Sequence, residues 1–296
     1  MDVEDKDIVI GMLQSISMKD YPRDIFEDFG HCIIDEVHHI SSRVFSQALL
    51  KIATRYMLGL SATPERKDGL TKVIEWFLGP IILKVERKSQ IPTVRFIEAQ
   101  YDSIPIEKFN KMGKANVPEM ITDVVNDSTR NQIISQQIEK LLTHGRKILI
   151  LTDRRRHCEL LSELVPPDRT WGLYIGGMKK EDLDISNTQE VIIATYSMAC
   201  EGYDCPDLDT LIMASSKSDI EQSVGRILRK KNDNPPLVID IVDTYSVFLP
   251  QYYKRKKFYK QNGIQIDSLS TPRFIPKNVE KSINCKKITQ CLIVED

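Results

Sequence analysis

Four stretches of this sequence combine residue types that could handle a phosphoanhydride. In CIIDEVHH an apolar run ends in Asp35 and Glu36. Carboxylates at the carboxyl end of a buried parallel strand sit where α/β folds bind ligands. There Asp35 could hold Mg2+ through water while Glu36 orients an attacking water, although paired acids also end many ordinary strands. The neighbouring His38 and His39 make a poor metal pair, because adjacent side chains point to different sides. In YMLGLSATPERKDGL the hydroxyls of Ser61 and Thr63 follow a second apolar run. They could join two moving elements by short hydrogen bonds, or simply belong to a turn opened by Pro64. EVIIATYSMACEGYD repeats the arrangement: Gly202 would permit close backbone approach to a ligand, and Asp204 could accept from a ribose hydroxyl or an arginine. The plainer reading is a glycine-containing turn. In DIEQSVGRILRKK, Gln222, Arg226 and Arg229 recur at i, i+4 and i+7 and so share one helix face. Guanidinium forks match phosphate oxygens, but a lone basic stripe is usually a solvated face.

The elements that must position these residues follow a βαβ rhythm. Strands are expected at Asp7–Met12, His31–Asp35, Arg55–Leu60 and Pro80–Val85, and again at Lys147–Leu151, Trp171–Ile175, Glu190–Ala194, Thr210–Ala214 and Leu237–Ile241. Most are continuous apolar runs, as parallel strands buried on both faces should be. Helical periodicity covers Pro118–Leu142, Arg154–Leu164 and Asp219–Lys230. The stretch from Lys88 to Ala115 fits neither half well. It reads as the crossing between two lobes, with one extended strand at Thr93–Ala99. The aromatic-basic run QYYKRKKFYK has the spacing of a terminal helix packed on the second lobe with its lysines in water, or of a nucleic-acid contact. The last thirty or so residues, rich in Lys, Asn and Ser, have the composition of a weakly structured tail.

Composition narrows the class. With 296 residues, 41% apolar and 28% charged, the chain suits two globular domains. Its formal net charge of −1 means that any grip on nucleic acid must come from local basic clusters. Six cysteines form no CxxC pair, which suits reduced thiols in an intracellular protein better than a zinc site. The opening MDVEDKDIVI lacks the pattern of a signal peptide, and no apolar run approaches the ~20 residues of a membrane span. A soluble, intracellular protein, cytoplasmic or nuclear, is expected.

Taken in order, DEVHH, SATPER, ATYSMACEGYD and QSVGRILR resemble motifs II, III, V and VI of superfamily 2 helicases, and TDRRRHCELL resembles motif IV. Each motif is weak alone, whereas the ordered set is specific. The likeness runs from about Ile8 to Ile266 and is greatest to DExH-type DNA helicases of the transcription-repair group, in the versions carried by large DNA viruses and phages. It implies an α/β fold of two RecA-like lobes with mostly parallel sheets and ATP held in the cleft between them. The implied divisions are 1–88 for the C-terminal part of the first lobe, 89–115 for a linker, 116–266 for the second lobe and 267–296 for a tail.

The resemblance also implies roles. Asp35 would coordinate Mg2+, Glu36 would activate water, and His38 would act with them. Ser61, Thr63, Gly202 and Asp204 would couple nucleotide state to lobe movement. Gln222 would approach ATP, with Arg226 and Arg229 as arginine fingers. Single-stranded nucleic acid, expected to be DNA, would meet Gln14, Ser15, Arg66, Thr152, Arg154 and Thr195.

One part is missing from the pattern. No GxxxxGK[ST] occurs anywhere, and YIGGMKK lacks both the spacing and the hydroxyl. Only 34 residues precede Asp35, so the first lobe is expected to be incomplete, its phosphate loop either supplied in trans by an upstream polypeptide or belonging to a missing front of the same protein. Two functions stay open: an ATP-dependent motor present as a fragment, or a binding module derived from a helicase that no longer hydrolyses ATP.

Overall fold

A computed structural model of the chain describes residues 3, 5–22, 24–37, 43–52, 54–61, 71–85, 90–103, 105–200, 205–228, 230 and 232–267. The chain divides into two compact units, Met1–Lys88 and Ser89–Asp296.

The first unit contains α1 (Leu13–Met18), β1 (His31–Ile34), α2 (Arg43–Leu49), β2 (Tyr56–Gly59) and α3 (Thr71–Leu78). β1 and β2 pair in parallel, with Ile34 opposite Gly59. Their inner face packs Ile34 with Val37, Leu49 and Ile74, while Ile16, Phe26 and Ala48 form a second small cluster. The ammonium of Lys51 donates to the carbonyls of Ser17 and Lys19, closing the carbonyl-rich end of α1. The strands expected at Asp7–Met12 and Pro80–Val85 do not form. Residues 8–12 have no regular structure, and the chain turns into α1 at Leu13. Ile8, Ile10, Ile82 and Leu83 are exposed, so these apolar runs neither join the β1-β2 sheet nor pack into a core.

The second unit is built on β3 (Thr93–Glu98), α4 (Val117–Asn126), α5 (Ser128–Leu142), β4 (Ile148–Thr152), α6 (Arg155–Ser162), β5 (Trp171–Tyr174) and α7 (Lys180–Asn187). It continues through β6 (Val191–Thr195), α8 (Tyr196–Cys200), β7 (Thr210–Met213), α9 (Glu221–Gly225), β8 (Leu237–Val242), α10 (Phe248–Gln261) and β9 (Gln265–Ile266). Seven strands lie in the order β5-β6-β4-β7-β8-β3-β9, every pair parallel. The strand expected at Thr93–Ala99 pairs with β8 along its whole length and is a member of this sheet.

Alternation along the strands supplies two cores. Leu149, Leu151, Ile192 and Leu211 face one layer of helices, while Ile148, Ile150, Ile193 and Ile212 face the other. β4 and β7 are buried at every position and β6 at all but its last, which is why they read as continuous apolar runs. The single helix expected at Pro118–Leu142 is two, because Asp127 interrupts it and its carboxylate accepts from the Arg130 N–H as an N-cap. The helix expected at Asp219–Lys230 runs only from Glu221 to Gly225 and then tightens into a 3-10 turn at Arg226–Leu228. That tightening advances the residues after Arg226 around the axis by roughly 20° each relative to a continuous α-helix.

The β5–α7 contact has a sharp steric requirement. A Cβ on Gly172 would lie 2.6 Å from the Ser186 Cα, a backbone atom that cannot swing aside. Gly172→Ala is expected to destabilise the second unit by about 1–3 kcal/mol in urea melts. An unchanged midpoint would show that α7 can lift away freely.

Candidate functional site

In the first unit the motif residues collect at the carboxyl ends of β1 and β2. The Leu60 N–H donates to the Ile34 carbonyl at 2.8 Å, and the Val37 N–H donates to the Leu60 carbonyl at 2.9 Å. Those two bonds stitch the Asp35-Glu36 turn to the residue before Ser61. Between them Glu36 adopts φ +48°, a left-handed conformation that costs a non-glycine residue about 1–3 kcal/mol and gathers at functional sites. The Glu36 N–H donates to Asp35 Oδ1 at 2.9 Å. Gly59 lies under this turn, where a Cβ would come within 3.0 Å of Val37 Cγ2.

Asp35 is exposed, and among the described residues its second carboxylate oxygen accepts no hydrogen bond. One carboxylate is a fitting protein contribution for Mg2+, which keeps several waters and takes other ligands from nucleotide phosphates. Gln14 is exposed and Ser15 half-buried on α1, and Ser61 is half-buried at the end of β2. His38, Thr63 and Arg66 lie outside the described residues.

In the second unit the predicted residues lie along the carboxyl rim of the sheet. β4 ends at Thr152, followed by Asp153 and Arg154; β6 ends at Thr195; β7 runs on to Ser215, Ser216 and Lys217 ahead of α9. Thr152 is fully buried. Asn131 gives its amide N–H to the Val125 carbonyl, so its oxygen accepts from His157 Nε2 at 2.9 Å. His157 Nδ1 then accepts from the Thr152 hydroxyl at 2.7 Å. The Thr152 side chain therefore offers no free hydroxyl to a nucleic-acid strand. Arg154 donates to the Pro118 carbonyl at 2.7 Å and to the Thr122 hydroxyl at 3.3 Å. The half-buried Thr195 has its hydroxyl 3.2 Å from that of Ser197. Gln222 is half-buried on α9, and Arg226 is only 9% exposed in the turn that follows. Gly202, Asp204 and Arg229 lie outside the described residues.

Burial pushes the imidazole of His157 well below its ordinary value near 6.5, and the charge of Arg130 adds to the effect. The ring is neutral in the fold and takes up a proton readily only once unfolded. Below about pH 6.5 the unfolded chain therefore binds the extra proton, and stability should fall by up to about 1.4 kcal/mol per pH unit. His157→Gln should flatten that slope in melts between pH 7 and pH 5. A slope unchanged by the substitution would assign the acid sensitivity elsewhere.

Two buried ion pairs escaped the sequence reading. Arg130 grips Asp243 through Nε at 2.8 Å and Nη2 at 3.1 Å, with both side chains fully buried. Arg255 of α10 grips Asp240 in the middle of β8, again fully buried. Arg255 Nη1 also donates to Ser216 Oγ and to the Lys217 carbonyl, both at 3.0 Å, tying α10 to the loop that leads into α9. Burial opposes the guanidinium charge of Arg255, but the Asp240 carboxylate outweighs it and raises the pKa. The sequence did carry a signal: an acid inside the apolar run LVIDIV, and an arginine on the aromatic stripe of Tyr252 and Tyr259. The expected packing of this helix holds for those tyrosines, and Lys254, Lys257 and Lys260 are exposed. Asp153, beside Arg154, has its carboxyl raised by burial despite the opposing charges of Lys217 and Arg154.

Against known proteins, the family profile described as "Type III restriction enzyme, res subunit" matches residues 2–66. L396 of Acanthamoeba polyphaga mimivirus, whose name proposes an ATP-dependent RNA helicase, is 38% identical over 269 residues, covering 87% of this chain and 52% of L396. D10 of Escherichia phage T5, whose name proposes a helicase, is 30% identical over 273 residues, covering 88% of this chain and 58% of D10. The chain thus spans about half the length of the curated relatives it matches. S. cerevisiae Dbp5, solved with RNA and ADP BeF3, superposes with a TM-score of 0.52 at 12% identity, covering 80% of this chain and 58% of Dbp5. The fold is α/β and RecA-like, with the parallel sheet expected of it. Among the described residues no helix is long and apolar enough to cross a membrane.

Proposed function

We propose that this chain, a relative of the superfamily 2 helicases, carries most of an ATP-driven nucleic-acid motor and takes its phosphate-binding loop from residues outside these 296. The observation that supports this reading is the placement of motif residues at the carboxyl ends of parallel strands in both units. Asp35 and Glu36 follow β1, Ser61 follows β2, Arg154 follows β4, Thr195 ends β6, and Gln222 and Arg226 follow β7. That is the side of an α/β sheet on which ligands bind.

In the first unit Asp35 holds hydrated Mg2+ on ATP and the strained Glu36 orients water, with His38 beside them. In the second, Gln222 approaches the nucleotide, and Arg226 and Arg229 neutralise charge developing on the transferred phosphoryl group. Ser61, Thr63, Gly202 and Asp204 transmit nucleotide state. Single-stranded nucleic acid runs over Gln14, Ser15, Arg66, Arg154 and Thr195, held mainly by its backbone. The backbone around Thr152, rather than its buried hydroxyl, contributes there. DNA is the substrate proposed from the resemblance; the name of L396 proposes RNA, and paired titrations with oligothymidylate and oligouridylate decide between them.

The test is ATP hydrolysis by the chain, with and without single-stranded nucleic acid and with or without a polypeptide bearing a GxxxxGK[ST] strand, loop and helix. Stimulated turnover that needs the added polypeptide is the expected result. The lack of that loop in the sequence favours one other reading, a binding module. Salt-sensitive binding with no turnover under any of these conditions would establish it in place of the motor.

A further inference from the structure

Between β3 and α4 the chain folds into a small stitched turn that none of the motifs uses. Phe109 and Ala115 form an isolated antiparallel bridge. Around it the Asn110 N–H donates to the Lys114 carbonyl at 2.7 Å, Gly113 N–H to the Asn110 carbonyl at 2.9 Å, and Asn116 N–H to the Lys108 carbonyl at 2.8 Å. The Asn110 side-chain oxygen accepts from the Met112 and Lys114 N–H groups at 2.9 and 3.0 Å. Gly113 has φ +71°, a conformation that residues with a Cβ resist. At the root, Lys108 bridges Glu119 and Asp123 of α4 at 3.0 and 2.7 Å.

Scattered apolar residues on a surface are ordinary, so exposure alone decides nothing. What distinguishes this turn is that its backbone is held while its tip is left bare. Phe109 is 59% and Met112 78% exposed, and Lys111 and Lys114 flank Met112 without an acidic partner among the described residues. Ordering a tip this way removes entropy that a partner would otherwise have to remove.

A second observation places the turn. Arg154, from the rim at β4, bonds to Pro118 and Thr122 on the same first turns of α4 that receive Lys108. Arg154 and the root of the turn therefore share one short helical support.

We infer that residues 108–116 form an additional contact for single-stranded nucleic acid. Phe109 and Met112 present apolar faces to bases, and Lys111 and Lys114 present ammonium groups to phosphates. The inference rests on the nucleic-acid binding proposed above and extends that surface beyond the motif residues. Two exposed cations and an exposed aromatic residue on one short turn match a polyanion with stackable bases better than an apolar protein groove.

The test uses the full chain and a fluorescein-labelled oligothymidylate, titrated by anisotropy over a salt series. Phe109→Ala should weaken binding roughly five- to a hundredfold. The double variant Lys111→Ala/Lys114→Ala should lower the slope of log K against log salt by about 1.4, since each single-strand phosphate contact contributes about 0.7. Asn110→Ala, which keeps ring and lysines but loosens the turn, should also weaken binding, with an unchanged melting temperature showing that the fold survives. If wild-type affinity and slope persist in these variants while Arg154→Ala weakens binding, this inference falls and the parent reading stands. If the wild-type chain binds no oligonucleotide, both fall.

Discussion

Replacing Arg255 with Met is expected to destabilise the second unit by about 3–5 kcal/mol, among the largest losses a single substitution here can cause. Arg255 and Asp240 are both fully buried, so the substitution leaves a carboxylate in the sheet interior with Tyr259 as its main remaining donor, at 3.1 Å. The lost attraction matters less than the uncompensated charge left behind. Adding Asp240→Leu should therefore recover much of the loss, and a double-mutant cycle in urea would show strong coupling. Losses that simply add would refute the pairing as the source of the effect.

The loop before α9 should respond as well. Ser216 receives Arg255 Nη1 and donates its own hydroxyl to Gln251 at 2.8 Å, so three side chains from two elements fix this corner. Lys217 then lies 4.6 Å from the ring of Tyr196, whose hydroxyl donates to the Ser215 carbonyl. In the rescued double variant this corner loses its guanidinium. Its amides should exchange hydrogen faster even where global stability has recovered.

The second large effect concerns chemistry. Arg226→Ala should lower nucleic-acid-stimulated ATP hydrolysis by about 10³-fold or more, measured with the phosphate loop supplied, while oligonucleotide affinity changes little. Arg226 is 9% exposed and sits in the 3-10 turn after α9, so its guanidinium is pre-ordered rather than free to sweep through solvent. Arg226→Lys should not restore the rate, because an ammonium cannot make the planar two-point contact. Equal loss of hydrolysis and binding would remove Arg226 from the finger role and make it a structural cation.

The sequence by itself determined the central strands of the second unit, because burial on both faces demands unbroken apolar runs such as ILIL and VIIA, which survive any detail of packing. It also determined the order of motif residues along those strands, since carboxyl-end residues follow each run directly. It failed at Asp7–Met12 and Pro80–Val85, where an apolar run is not a strand without a neighbour to pair with. It failed again at Asp127 and Gly225, where a helix was expected to continue; propensity there is a weak guide beside one cap or one tightened turn. Only the tertiary structure decided that Thr152 spends its hydroxyl on His157 and that Arg255 meets Asp240 across fifteen residues. Such partners lie on different elements, and their meeting depends on how helix and sheet stack, which local pattern does not encode. The left-handed Glu36 is of the same kind: two bonds to Leu60, from the neighbouring strand, impose a conformation that the dipeptide Asp-Glu alone would avoid.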